Sequence, residues 1–214
     1  MSIYSRLMLL FAVAPLLTAL AANLPKTQHQ PLEAVPELIG MRYCYGDVET
    51  FSIRLRLRVK YINRSATPVI LDREIGKRWY GEKVARNLKD LAAGNYEYNP
   101  NVDWFFTDKD KLPGRPSTHS PGPDFAVVAP GQAFESEIEP TIIAQYDNLK
   151  AIPDLVRPGV HVFQMELSAW NHPGDASEFA KSWRQFGDLA TGVIRTELLQ
   201  IRIPSNPKIE RNCK

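Results

Sequence analysis

Cysteine, histidine and net charge are all scarce in this chain. Its 214 residues include 2 cysteines and 4 histidines, and the formal net charge is +2. Neither Cys44 nor Cys213 has a second cysteine or a histidine at ligand spacing, so no structural metal site is expected. A near-neutral chain has no field to gather nucleic acid or an anionic membrane, so neither is expected as a partner. Motifs of chemistry are missing as well. There is no G-x-S-x-G elbow and no H-E-x-x-H. Asp103, Asp108 and Asp110 lack the regular D-x-D-x-D-G order of a calcium loop. Ser117, His119 and Asp124 lie close in sequence, but triads are assembled by geometry from distant segments, so His119 reads as a loop residue. No catalytic residue and no cofactor is expected.

Long apolar runs are also lacking, with one exception at the start. Residues 7–20 are apolar, Arg6 precedes them, and Ala19-Leu20-Ala21 follows the pattern of a cleavage site. The run is shorter than the roughly 20 residues a span needs, and Pro15 interrupts it. Residues 1–21 therefore read as a signal peptide, and the mature chain as secreted or periplasmic without stable membrane insertion. No cysteine follows the cleavage site, which argues against a lipid anchor, and no twin-arginine pair precedes the run. In an oxidising compartment two cysteines are expected to pair. A Cys44–Cys213 bridge would close nearly the whole mature chain, worth about 5 kcal/mol in the chain-entropy view.

What the chain does have is alternation. From 50 to 61, Phe51, Ile53, Leu55, Leu57, Val59 and Tyr61 take one side, and Ser52, Arg54, Arg56, Arg58 and Lys60 the other. Side chains of a strand alternate between faces, so this is a half-buried antiparallel strand with a core face and a basic face. Further strands are expected at 41–45, from 69 to 72, at 125–128, over 133–143, over 160–170 and over 193–203, with Pro130-Gly131 and Pro158-Gly159 as turns. Residues 22–40, with Pro25, Pro31 and Pro36, read as an irregular, extended lead-in. A helix is expected over 82–93, a helical turn within 148–156, and an amphipathic helix over 175–186 with Phe179, Trp183 and Phe186 on one face. The expected architecture is all-β: one antiparallel sandwich domain over 41–214, of about seven strands, with a helix-containing insertion at 74–122 and one short late helix.

This layout, with Leu155-x-x-Pro158-Gly159 running into a strand, resembles immunoglobulin-like β-sandwiches of exported proteins. The resemblance is one of architecture over residues 41–203. It lacks the intersheet Cys…Trp…Cys signature, because Cys213 lies past the last strand, and it implies no activity.

Two surfaces invite a function. Trp79, Tyr80, Tyr96, Tyr98 and Trp104 crowd the insertion, with Phe105 and Phe106 beside them. Such rings can grip a protein partner or stack on a glycan, or simply pack beneath a long loop. The basic face of Arg54, Arg56, Arg58 and Lys60 could take phosphate, a sulfated sugar or an acidic partner; the plainer expectation is pairing with Glu135, Glu137 and Glu139, which alternate with the same period. His161 is expected at the surface and His172, in Asn171-His-Pro-Gly174, in a turn. Asn63-Arg-Ser65 is a glycosylation acceptor where the host modifies such sites. The function expected is an exported, non-enzymatic protein that binds another protein or serves an extracytoplasmic assembly. A carbohydrate-binding module using the aromatics of 79–106 is the alternative.

Overall fold

The structure is a computed structural model that describes residues 31–45, 50–77, 79–102, 114–145 and 157–211. The expected signal peptide at 1–21, Asp103, Trp104, Phe105, Phe106, Asp108, Asp110, the expected turn at 148–156, Leu155 and Cys213 lie outside the described residues. What is described is mostly β, 51% strand against 8% helix, so the all-β class is established.

Among the described residues the strands form three sheets. In the first, β1 (Leu32–Tyr45) and β2 (Thr50–Asn63) form a long antiparallel pair. The free side of β2 carries β7 (Ala133–Ile138) and then β8 (Thr141–Gln145), and β13 (Ile209–Arg211) runs parallel to the end of β1. The second sheet is small, with β3 (Val69–Asp72) between β6 (Phe125–Val128) and β10 (Asp188–Leu189). In the third, β9 (Gly159–Ser168) is central. One side of it meets β4 (Trp79–Ala85), which pairs onward to β5 (Glu97–Val102). Its other side meets β11 (Val193–Arg195) and β12 (Leu199–Ile203).

The alternation in β2 does what its period dictates. Ile53, Leu55, Leu57, Val59 and Tyr61 are fully buried and join Phe163, Met165 and Leu167 of β9 in one core shared by the two large sheets. Burying each such side chain favours folding by about 1.5–3 kcal/mol.

Several expectations change. The chain forms thirteen strands among the described residues rather than about seven. The stretch 133–143 is split at Pro140, and 193–203 is split around Thr196, whose Oγ1 accepts a hydrogen bond from the Met165 amide at 3.0 Å. The lead-in is not irregular from Leu32 onward, because β1 pairs with β2 along its length. Pro36 is tolerated because β13 reaches only Tyr43–Tyr45, so β1 is an edge where the missing N–H falls. The helix expected at 82–93 shrinks to α1 (Leu88–Ala92), capped by the Asn87 side chain accepting from the Asp90 amide. Its first residues instead extend β4, where Val84 pairs with Phe163 on one side and Glu97 on the other. The late helix α2 (Ala176–Ser182) starts at the Asp175 cap. Phe179 and Trp183 are buried as expected, but Phe186 lies past the helix end and is exposed. His161 is buried, not exposed: His161, Val162 and Phe163 are all buried in a row, so both faces of β9 are covered there. Its Nε2 lies 2.8 Å from the Arg157 carbonyl.

Candidate functional site

The β4–β5–β9–β11 sheet divides three of the five expected aromatics between its two sides. Tyr80 stands opposite Leu167 and packs against the core. Tyr98 stands opposite Lys83, points outward, and lays its ring over Gly81, where any Cβ would collide with it. The missing side chain of Gly81 is what lets the ring lie so close to the sheet. Tyr98 remains 49% exposed. Tyr96 lies beneath the Lys83 ammonium, 5.2 Å from ring centroid to nitrogen, which is cation–π distance. The backbone of Trp79 is in β4, its side chain lies outside the description, and Trp104 lies outside altogether.

Beside these rings runs a charged network. Glu166 Oε1 accepts from Lys83 Nζ at 2.7 Å and from Arg195 Nε at 2.9 Å. Lys83 and Glu166 are mostly shielded, at 16% and 18% side-chain exposure. The Lys83 hydrogen bond, then that of Arg195, hold the Glu166 carboxyl below the usual range against the opposing effect of burial. Val193, exposed on β11, borders the network. The result is a half-exposed tyrosine lying over Gly81 with paired charge beside it.

On the other large sheet the expected cross-strand pairing is present. Arg58 registers with Glu137 and Lys60 with Glu135. Arg56 donates to Glu137 Oε2 from Nη2 at 2.7 Å and from Nε at 3.2 Å. Arg58 lies 3.6 Å from both Glu137 and Glu37. The Arg56 hydrogen bond, foremost, lowers the Glu137 pKa, and Glu137 in turn raises that of Arg56.

A third polar group was invisible in the sequence. Asp72, at the end of β3, is buried and contacts His172 Nε2 at 3.3 Å, with the Glu74 amide at 2.8 Å and Asn171 Nδ2 at 3.3 Å. His172 is a turn residue as expected, but its side chain is inside, against the Phe125 ring at 4.8 Å. Burial pushes Asp72 up; the bond and charge of His172, with the Glu74 amide and Asn171, outweigh it and hold the carboxyl below its usual range.

Ser117, His119 and Asp124 are not assembled into a site. The Ser117 hydroxyl accepts from the backbone amide of His119 at 3.1 Å, and the His119 and Asp124 residues are exposed. Asn63 is fully buried and its Nδ2, the atom a glycan would need, donates to the carbonyls of Thr67 and Val128 at 2.8 Å each. The folded chain therefore withholds it from modification. The chain matches no family model, no curated protein and no solved structure.

Proposed function

We propose that this is an exported, non-enzymatic all-β protein that binds another protein or serves an extracytoplasmic assembly, using the Tyr98 face as its contact surface. The observation that carries the reading is Tyr98 itself, an exposed ring held over Gly81 and rimmed by Lys83, Glu166 and Arg195. Interfaces favour large aromatic side chains already in position, since little rotamer freedom is lost on docking. Export rests on the leader at 1–21. It is compatible with the finding that no helix among the described residues is long and apolar enough to cross a membrane. The Cys44–Cys213 bridge belongs to the same proposal. Cys44 is buried, and Glu210 of β13 pairs with it in register, three residues before Cys213 in the chain, which supports that reading. An immunoglobulin-like arrangement is proposed on the ground that two five-stranded sheets share one core.

The test is crosslinking of the mature protein in its native compartment, comparing wild type with Tyr98→Ala and Arg195→Glu. A specific protein captured by wild type and lost from both folded variants supports the reading. Equal capture by Tyr98→Ala removes this face from it. Glycan binding that depends on Tyr98, with no protein captured, replaces it with the carbohydrate-binding alternative.

A further inference from the structure

The arginines of the β1–β2 face are not equally neutralised. Arg56 and Arg58 share Glu137, and Arg58 also reaches Glu37. Further along, Arg42 and Arg54 stand directly opposite each other across the β1–β2 ladder, a position in which like charges repel. The carboxylate near Arg42 is Glu139, at 3.9 Å. Among the described residues the Arg54 guanidinium has no hydrogen-bond or ion-pair partner, and its Nε is buried.

An open cavity of about 450 Å³ lies at this point, lined by Gly40, Met41, Arg42, Arg54, Arg56 and Glu139. Two breaks in regular structure create it. A register shift between Leu38 and Gly40 bulges β1, and Gly40, opposite Arg56, has no side chain to fill the space. Across β2, Glu139 and Pro140 separate β7 from β8, and the break falls beside Leu55 and Arg56, between the Arg54–Thr141 and Leu57–Ile138 pairs.

We propose that this cavity binds a terminal tetrahedral oxyanion, a phosphate or sulfate ester group, between the guanidinium forks of Arg42 and Arg54. Guanidinium planes match such oxygens in pairs, and buried polar groups left unpaired by the protein call for a partner. Arg56 is engaged with Glu137 and Arg42 has Glu139 at 3.9 Å, so the excess positive charge in the cavity is the one on Arg54. Oxygen number rather than charge count favours the tetrahedral group: it has three terminal oxygens to share between two guanidinium forks, whereas a carboxylate has two. The group itself fills a small part of the volume, so the remainder houses the moiety that carries it. The site is on the opposite large sheet from Tyr98, and its test is independent of the protein-contact reading.

The experiment is an NMR titration of arginine Nε–H signals in the mature protein at low ionic strength, with inorganic phosphate, inorganic sulfate and acetate as separate probes. Saturable shifts at Arg42 and Arg54 are expected with phosphate or sulfate, and whichever binds more tightly identifies the ester class. Acetate is expected to bind at least about tenfold more weakly, as is phosphate or sulfate to Arg54→Gln. Gly40→Val keeps every charge while filling the floor of the cavity, and is expected to lose binding too; it carries the test if Arg54→Gln does not fold. Arg202→Gln, an exposed arginine of β12, should bind as wild type does. Shifts that track ionic strength alone, that acetate reproduces, or that survive both cavity variants would overturn the proposal.

Discussion

Ile53, Leu55, Leu57 and Val59 enter the large core from one strand at every second position and meet Phe163, Met165 and Leu167 arriving the same way. The smaller cluster beside it takes Ile70 from β3, Phe125 from β6, Phe179 from α2 and Trp183 from the turn after α2, with Trp170 and Leu189 at its margin. Trp183 meets its ring neighbours edge-on or tilted, Phe125 at 4.8 Å and Phe179 at 5.3 Å, while Trp170 stacks on Phe125 at 6.0 Å. In the first, ladders of backbone hydrogen bonds hold the side chains in register. In the second, polar side chains hold loops in place: Trp183 Nε1 donates to the Ser117 carbonyl at 2.9 Å, and Arg115 pairs with Glu178 at 2.7 Å. Regular periodicity builds one core; individual side-chain identities build the other.

The difference can be broken at either end. Trp183→Ala should show the largest loss, about 3–5 kcal/mol by urea denaturation, because a large buried ring and the tie to Ser117 go together. Hydrogen exchange of β2 amides should change little relative to the loop at 114–122; equal loss of protection in both would make the two cores one cooperative unit. Leu57→Ala should cost about 2–5 kcal/mol and deprotect both large sheets at once.

Asp72→Asn sharpens the comparison through pH. The folded carboxyl titrates below its usual range, so its contribution is complete above the unfolded value near 3.9 and is lost as pH falls through the lower folded value. The variant should be about 1–2 kcal/mol less stable at neutral pH and converge with wild type in strong acid. A constant gap in denaturation midpoint down to strong acid would remove charge from the account. Arg56→Glu should have the smallest effect, a slight fall in melting temperature at low salt that fades as salt is added. An unchanged melting point at low salt would count against the Glu137 pairing.

Legibility in the sequence followed the same division. The faces of β2, the bounds of β6 and the pairing of the basic face of β2 with the glutamates of β7 could be read directly, because a period of two reports burial locally; which arginine meets which glutamate is set by register. Glu82–Ala85 was read as helix because Val84, Leu88 and Leu91 are spaced near four; only pairing to β9, about 80 residues away, makes it strand. The ladder carries even a buried glutamate, Glu82, onto the core face. Tyr98 was visible as a candidate, but its seat on Gly81 depends on register between β4 and β5. Asp72 and His172, and the bulge at Gly40, join residues whose spacing in the chain carries no signal. A lone glycine between apolar Ile39 and Met41 was the one trace of the bulge.

The parallel pairing of β13 with β1 sets an order of events during synthesis. Tyr43 of β1 is made early, whereas its partner Ile209 is among the last described residues to emerge. Until then, the hydrogen-bonding edge at Tyr43–Tyr45 stays open to any other extended chain nearby. Closing so long a loop carries an entropy cost that grows only logarithmically with length, so delay matters more than distance. A protein built this way guards its first described strand with its last, and is exposed to mispairing for as long as synthesis of the stretch between them takes.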